Sequence, residues 1–274
     1  MRLVTFRDSP HSTRVGILEN EQVHGLAAET MIEWLNGEGR VRTGVVHPLQ
    51  DVHLLAPVPV PPSFRDFFSY EEHVAKGFEL RGAEIPEAWY EQPVFYFSNP
   101  AGIHGPGDEV TRPEGCELLD FELEIAAVIG QDEEIAGFAL LNDWSARDFQ
   151  VKEMSVGLGP AKGKDFATSF GPMIVTPDEL PYEDGRLHLE ASVTVNNEEL
   201  TRSDASKQHH SWPDIVAHAA RNTELRPGDV IGSGTLGGGC LLELGPIDGS
   251  RWLEPGDLVA LDAPGLGTLA NPVV

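Results

Sequence analysis

Hydrophobic and polar positions alternate most clearly in residues 118–130. From Phe121 to Ile125 every second residue is hydrophobic, and the positions between hold Glu122 and Glu124. This two-residue period predicts a half-buried β-strand. Successive side chains of a strand point to opposite faces, so both glutamates project from one face, about 7 Å apart. The residues after Glu124 are uniformly apolar, which predicts that the strand continues into the core.

This pair of carboxylates has two interpretations. Two carboxylates at such a short distance raise each other's pKa unless a cation lies between them. Mg²⁺, Mn²⁺ and Ca²⁺ are suitable cations, because they prefer oxygen ligands. The pair is therefore a candidate half of a divalent-metal site, although a solvated strand face has the same pattern. A second strand is predicted over residues 136–143 and ends on Asp143. Across such a hairpin Asp143 is either a third ligand or only the N-cap of the next helix.

The first part of the chain has the pattern of a small β-rich unit. We predict strands over residues 3–6, 14–18 and 23–26 and a short helix over residues 30–35 that ends at Asn36-Gly37. Four prolines between residues 57 and 62 exclude a central strand or a helix interior there. We therefore predict a stiff connector, with a small N-terminal domain over residues 1–57 and a larger domain over residues 58–274.

A short helix is predicted directly after this connector. Ser69 with Glu72 three residues on is typical of a helix start, so Ser69 is the expected N-cap. His73 then falls in the second turn of the helix, and Asp66 lies just before it. Taken alone, this position favours a surface histidine of the helix for His73, and a turn or capping carboxylate for Asp66.

The rest of the large domain has the pattern of strands and turns with few helices. We predict strands over residues 92–97 and 187–195 and a helix over residues 211–220. Residues 158–165 resemble a phosphate loop but lack its first Gly and its Ser or Thr. Residues 232–237 match a bare Gly-x-Gly-x-x-Gly, but no helix-length amphipathic segment follows, which argues against a dinucleotide-binding fold.

The composition narrows the class of protein. The 274 residues include 44 acidic and 19 basic ones, which gives a formal net charge of -25. Nucleic acid and anionic membranes both need a basic surface, so we expect neither as a partner. A small anionic substrate needs only a local group of Arg and Lys. The first residues lack an apolar signal core, and no apolar run approaches the roughly 20 residues of a membrane span.

The chain has two cysteines, Cys116 and Cys240. They form neither a disulfide framework nor a zinc pattern. We interpret them as reduced thiols and expect a soluble cytoplasmic protein.

Several motifs, taken together and in this order, resemble those of the fumarylacetoacetate hydrolase family. They are Asp66-Phe-Phe-Ser-Tyr-Glu-Glu-His73, Asp120-Phe-Glu-Leu-Glu124, Asn142-Asp-Trp-Ser-Ala-Arg-Asp-Phe-Gln150, Gly163-Lys-Asp-Phe-Ala-Thr168, and Gly232-Ser-Gly-Thr-Leu-Gly237 with Leu241-Leu-Glu-Leu244. Each motif is weak on its own. The resemblance covers roughly residues 60 to 265, which is nearly all of the large domain.

The resemblance implies a mainly β fold with some α-helix, in which a β-roll catalytic domain follows a small N-terminal β-rich domain. It also implies a homodimer and one divalent ion, Mg²⁺ or else Mn²⁺ or Ca²⁺. The metal carboxylates implied by the motifs are Asp66, Glu122, Glu124 and Asp143, with Lys164 and Thr168 at family positions near the ion.

The resemblance also assigns catalytic and substrate-binding side chains. His73 is similar to the general base of the family, and Glu243 to the carboxylate that orients it. The donors to the oxyanion and to substrate oxygens correspond to Arg147, Gln150 and Lys164. Looser matches to substrate contacts, besides Gln150, are Phe68, Arg81, Tyr96 and Thr235.

The implied reaction is hydrolysis of a carbon–carbon bond in a 1,3-diketo acid similar to fumarylacetoacetate or an acylpyruvate. His73 activates the water, and the ion stabilises the enolate leaving group. Two departures bear on this assignment. Phe68 stands where true fumarylacetoacetases have a tyrosine, which removes one hydrogen bond to the substrate. Lys76 stands where smaller acylpyruvase and decarboxylase members have the glutamate of a His-x-x-Glu pair.

Two alternatives stay open. A 2-keto acid dehydratase, decarboxylase or isomerase of the same family would use the same ion and the same enolate. Outside enzymes, the protein could be a metal- or ligand-binding member without catalysis. The complete carboxylate set and His73 favour an enzyme. The absence of the His-x-x-Glu pair, together with the similarity of Asp66, His73 and Glu243 to the hydrolase arrangement, favours a hydrolase.

Overall fold

The computed structural model describes residues 1–274 and confirms a mainly β fold with a few short helices. Its strands are β1 (Arg2–Arg7), β2 (Arg14–Glu19), β3 (Gln22–Leu26), β4 (Arg42–Pro48), β5 (His53–Leu55), β6 (Phe64–Phe67), β7 (Phe95–Phe97), β8 (Ile103–His104), β9 (Leu119–Asp120), β10 (Leu123–Ile129), β11 (Ile135–Asn142), β12 (Ser145–Ala146), β13 (Thr168–Val175), β14 (Tyr182–Glu183), β15 (Arg186–Leu187), β16 (Glu190–Val195), β17 (Glu198–Asp204), β18 (Val230–Gly232), β19 (Leu258–Ala263) and β20 (Gly267–Pro272). Its α-helices are α1 (Met31–Leu35), α2 (Glu71–Glu79), α3 (Glu87–Glu91), α4 (Arg147–Met154), α5 (Trp212–Ala220) and α6 (Leu241–Leu244).

Twelve strands form one large sheet. Its order is β4-β3-β2-β1-β13-β11-β10-β18-β6-β7, with β5 beside β1 and β8 beside β13. Only the β6–β18 and β8–β13 pairs are parallel, and the other pairs are antiparallel. A second sheet has four strands in the order β17-β16-β19-β20. Strands β11, β10, β18 and β6, which hold or adjoin the four predicted metal carboxylates, lie side by side toward the β7 end of the large sheet.

The predicted hairpin between the two acidic segments is present as β10 and β11. Leu123 pairs with Asn142 and Glu124 with Leu141, so Glu122 and Asp143 come together where the hairpin opens. The expectation that β10 is half-buried is wrong, because all seven of its residues are buried.

Two hydrophobic cores cover the two faces of β10. Leu123 and Ile125 belong to the larger core, which includes residues of the four-stranded sheet. Ala126 and Val128 belong to a second core, which includes residues of β1 and α1. Glu122 and Glu124 share the parity of Ala126, so they lie on the face that the N-terminal residues help to cover.

The N-terminal unit contains the predicted strands and helix, and also β4 and β5, which the sequence did not indicate. It is joined to the large sheet, because Arg2 pairs with Val175 and Leu3 with Ile174. Both parts also contribute residues to the second core. The domain boundary at residue 57 stays a prediction.

Helix α2 differs from its prediction at the N-terminus. Tyr70, not Ser69, is the N-cap, and it makes no side-chain capping hydrogen bond. The Ser69 hydroxyl instead donates to the carbonyl of Ser233 in the loop after β18. The helix therefore begins at Glu71, which places His73 in the first turn rather than the second.

Cys116 and Cys240 are both free and buried. None of the α-helices is long and apolar enough to cross a membrane.

Candidate active site

Four carboxylates meet where β11, β10, β18 and β6 lie side by side in the large sheet. Asp66 lies on β6, Glu122 just before β10, Glu124 within β10, and Asp143 directly after β11. Each side chain offers an oxygen, and these oxygens all lie within 4.8 Å of one another. All four residues are buried, with at most 4% of their surface exposed. The sheet thus brings together carboxylates from β6 and from the β10–β11 hairpin, which are distant in sequence from each other.

Gly232 on β18 makes this convergence sterically possible. It pairs with Ala126 of β10 on one side and with Asp66 of β6 on the other. A Cβ atom at this position would lie 3.1 Å from Glu124 Oε2 and from Asp66 Cγ, and closer still to Asp66 Oδ1. The backbone N–H of Gly234 donates to Glu124 Oε2 at 3.2 Å. Gly232 therefore makes room for the Asp66 and Glu124 carboxylates, and the Gly234 N–H helps to hold Glu124 in place.

Lys164 is buried within the carboxylate group. Its ammonium donates to Glu122 and, at 2.6 Å, to Asp143 Oδ2. Tyr96 donates through its hydroxyl to the same Asp143 oxygen at 2.5 Å. The Thr168 hydroxyl lies 3.4 Å from Asp143 Oδ1. Because an ammonium repels a metal ion, Lys164 fits the role of a counter-ion beside the ligands, whereas the Thr168 hydroxyl is able to coordinate.

The carboxylates differ in their electrostatics. Burial raises the pKa of Asp66 and of Glu124 well above the ordinary range, and the neighbouring carboxylates add to the effect. Burial also raises the pKa of Asp143, although Lys164 opposes it. At Glu122 burial acts in the same direction, but the nearby cations outweigh it, so the pKa falls below the ordinary range. Without a further cation, the group is unstable in its fully ionised form.

The donor set fits a hard divalent cation. Asp66 Oδ1 and Glu124 Oε1 are buried and have no hydrogen-bond partner within the protein. Unpaired buried carboxylate oxygens are costly, and oxygen coordination would satisfy them. Asp66, Glu122, Glu124 and Asp143 are the residues that would hold the ion.

A histidine–carboxylate pair forms the second part of the site. His73 Nδ1 lies 2.9 Å from Glu243 Oε2, and Glu243 Oε1 accepts the N–H of Gly238 at 3.0 Å. Burial acts to raise the pKa of Glu243, but the hydrogen bond and charge of His73 lower it below its ordinary value. The ring of Phe68 stands edge-on to the His73 ring, with centroids 5.4 Å apart. Packing and hydrogen bonding together hold the imidazole in one orientation.

Arg147 connects the carboxylates to the helix that holds Glu243. Its guanidinium lies 2.7 Å from Glu122 Oε1 and donates to Asp120 Oδ2 at 2.8 Å. It also donates to Gln150 Oε1 at 3.1 Å. Asp120 in turn accepts the first two N–H groups of α6, those of Leu241 and Leu242.

Asp120 is a residue that sequence reasoning missed. It has no exposed surface, and it fixes both Arg147 and the start of the helix that bears Glu243. The available signal was its place in the alternating motif, two residues before Glu122. Its partners are more than 25 residues away in sequence, so the motif alone does not indicate them.

Of the remaining predicted substrate contacts, some lie near the candidate site and one does not. Thr235 is buried in the loop after β18, and Gln150 lies beside Arg147. Arg81 is exposed at the end of α2, where it donates to the carbonyl of Gly77 and stacks 4.3 Å above the Phe78 ring. The structure does not bring Arg81 to the carboxylate group, and its role in substrate binding stays a prediction.

Each of the two parts of the chain matches a known protein family. Residues 63–274 match the family described as Fumarylacetoacetate (FAA) hydrolase C-terminal. Residues 1–57 match the family described as Rv2993c-like, N-terminal. The chain therefore belongs to the fumarylacetoacetate hydrolase family.

Individual relatives agree with this placement. The fumarylacetoacetase of Oryza sativa subsp. japonica is 31% identical over 79% of this chain, and the match spans 66% of that enzyme, slightly less than two thirds. Protein Rv2993c of Mycobacterium tuberculosis is 34% identical over 85% of this chain and 82% of its own length.

Among solved structures, the fold is similar to a 5-carboxymethyl-2-hydroxymuconate delta-isomerase from Mycobacterium smegmatis. The TM-score is 0.77 at 31% identity, covering 100% of this chain and 99% of that one. Family members with this architecture thus bear the names of both hydrolases and isomerases.

Proposed function

We propose that this protein is a metal-dependent hydrolase that cleaves a carbon–carbon bond in a 1,3-diketo acid similar to fumarylacetoacetate or an acylpyruvate. The observation that carries the proposal is the presence of a four-carboxylate group and a His73–Glu243 pair in one buried site. The sequence similarity to a fumarylacetoacetase supports the same reaction class.

Asp66, Glu122, Glu124 and Asp143 would hold a divalent cation, Mg²⁺ or else Mn²⁺ or Ca²⁺. When bound, such an ion polarises substrate oxygens as a Lewis acid and offsets negative charge that develops on the leaving group. The protein's own contribution is to present oxygen ligands in a dry site, where the field of an ion is weakly screened.

His73 is the proposed general base. Its Nδ1–H donates to Glu243, so the neutral ring has its lone pair on Nε2. Nε2 accepts a proton from water as the oxygen attacks the carbonyl carbon, and Glu243 stabilises the imidazolium that forms. The lowered pKa of Glu243 keeps this carboxylate ionised. Positioned general bases contribute about 10²–10⁴-fold to rate.

Arg147, Gln150 and Lys164 are the proposed donors to the oxyanion. Their positions are fixed in advance, because Arg147 is held by Asp120 and Lys164 by two carboxylates. Pre-positioned donors stabilise charge without reorganising during the reaction. Removing one such donor typically lowers kcat about 10²–10³-fold.

The test is loss of the ultraviolet absorbance of an acylpyruvate or fumarylacetoacetate, measured with Mg²⁺ and with EDTA. We expect turnover that needs Mg²⁺ and that falls at least about 100-fold in His73→Ala. His11→Ala is the matched control, because His11 is exposed and lies in a turn of the N-terminal unit, distant in sequence from His73. Equal turnover by His73→Ala and the wild type would remove the general base from the mechanism.

A second candidate is isomerisation of a 2-keto acid, which is favoured by the similarity to the mycobacterial delta-isomerase. In that reaction His73 would move a proton between carbon atoms, and no carbon–carbon bond would break. Mass analysis of the products separates the two proposals, since hydrolysis adds water and yields two fragments, whereas isomerisation conserves the substrate mass.

A further inference from the structure

A second group of metal-binding donors lies beside the proposed base. His73 Nδ1, Cys240 Sγ and Glu243 Oε2 come within 4.8 Å of one another. The thiol lies 3.2 Å from Glu243 Oε2 and 3.9 Å from His73 Nδ1, and the nitrogen lies 2.9 Å from the same oxygen. We call these three residues the His–Cys–Glu group.

The spacing of these atoms is close to that of tetrahedral zinc ligands. With Zn–N, Zn–O and Zn–S bonds of about 2.1, 2.1 and 2.3 Å, tetrahedral ligand atoms lie about 3.4–3.6 Å apart. The three distances in the structure, 2.9, 3.2 and 3.9 Å, bracket that range. Movements of a few tenths of an ångström in the side chains would complete the geometry.

The donor types of the His–Cys–Glu group also favour a different ion from the one that the four carboxylates favour. A thiolate, an imidazole and one carboxylate suit Zn²⁺ and similar borderline-soft ions, whereas an all-oxygen site suits Mg²⁺, Mn²⁺ or Ca²⁺. One thiolate and one carboxylate neutralise a divalent ion, so the filled group would carry no net charge in its buried position. Glu243 Oε1 is held by Gly238, which leaves Oε2 for the ion.

We infer that the His–Cys–Glu group binds Zn²⁺ or an ion of the same class, and that binding switches off the base. The Cys240 thiol loses its proton to solvent as the Zn–S bond forms. Zinc takes the lone pair of His73 Nδ1, so the ring proton moves to Nε2, and Nε2 no longer accepts a proton from water. The inhibition rests on the proposed role of His73, whereas the binding does not.

The binding is tested with Co²⁺ as a spectroscopic substitute for zinc, in the presence of excess Mg²⁺ to fill the carboxylates. We expect a thiolate-to-cobalt charge-transfer band in the near ultraviolet, with one thiolate per protein. Cys240→Ser loses the band, and Cys116→Ser, which alters the only other cysteine, retains it. His73→Ala retains the thiol and weakens Co²⁺ binding at least about tenfold. A wild-type protein without the band, or a band that survives in Cys240→Ser, overturns the assignment.

The inhibition is tested as the ratio of activity with and without Zn²⁺ for each variant. We expect zinc to inhibit the wild type and Cys116→Ser in a manner that added Mg²⁺ does not relieve, and Cys240→Ser to be at least about tenfold less sensitive. Relief by Mg²⁺ would place the inhibitory zinc at the carboxylates and overturn the inference. If no substrate is turned over, the cobalt spectra still decide the binding, so failure of the proposed function is distinct from failure of this inference.

Discussion

Gly232→Ala tests whether the four carboxylates hold a divalent ion, because the substitution displaces two of them directly. The added methyl group would lie 3.1 Å from Glu124 Oε2 and closer to Asp66 Oδ1. Restoring ordinary van der Waals contact requires the Asp66 carboxylate to move by about 1 Å. The backbone at Gly232 is ordinary strand, so alanine meets no conformational strain there. The perturbation therefore acts on the carboxylates of the proposed metal ligands Asp66 and Glu124.

A displacement of this size has a calculable effect. Misplacing a catalytic group by about 1 Å costs about 100-fold in rate, which corresponds to about 2.7 kcal/mol. Overpacking in a close-packed site also destabilises the fold by about 1–3 kcal/mol. We therefore expect weaker binding of the divalent ion and a kcat/KM about 100-fold lower, in a variant that remains folded.

The assay is metal binding by calorimetry, together with the ultraviolet assay of turnover. Gly77→Ala is the matched control, because a methyl group at that helical position meets only the end of the Arg81 side chain, at 3.9 Å. Circular dichroism checks that both variants fold. If Gly232→Ala binds the ion as tightly as the wild type, the carboxylates do not depend on this glycine, and they are not the ligands described.

Two further predictions concern the charges of the site. The pKa values of Asp66 and Glu124 are raised in the folded protein. In metal-free protein, the contribution of these two groups to the free energy of unfolding is therefore fully present below about pH 4, and it is lost as the pH rises through the raised values. In EDTA these two groups lower the Tm toward neutral pH, whereas Glu122 and Glu243, whose pKa values are lowered, act in the opposite direction. The measurement is therefore the effect of Mg²⁺ at neutral pH, where Mg²⁺ at 100 times its Kd should stabilise the protein by about 2.7 kcal/mol; a Tm that is unaffected by Mg²⁺ contradicts this. Asp120→Asn should lower kcat about 10–100-fold, since it weakens the hold on Arg147 and on α6. The control is Asp148→Asn, whose carboxylate accepts the backbone N–H groups of Glu117 and Phe149 and makes no hydrogen bond to Arg147 or α6. Equal kcat values in the two variants would exclude a positioning role for Asp120.

Local patterns were sufficient to predict the hairpin that holds Glu122, Glu124 and Asp143. Alternation identifies the strand, and the short turn between the two segments leaves little freedom in the pairing. Asp66, His73 and Glu243 came only from the resemblance of motifs. His73 and Glu243 are 170 residues apart in sequence, and no local periodicity reports such a contact.

Other features could not follow from local sequence. The alternating pattern at β10 indicates the strand but not what covers it, and the second face is buried by residues of β1 and α1. The Ser69 pattern predicted a cap, but its hydroxyl donates to the loop after β18 instead. In both cases a long-range contact outweighed the local preference.

The joining of β1 to β13 has a consequence for shortened forms of the chain. A chain that began at residue 58 would leave Ile174 and Val175 on an open strand edge, without the partners that Leu3 and Arg2 provide. It would also uncover Phe170, which has no exposed surface in the intact protein and shares the second core with Leu3 and Val15. Unpaired apolar edges recruit strands from other molecules. Proteolytic loss of the N-terminal segment would thus favour aggregation over release of a trimmed enzyme.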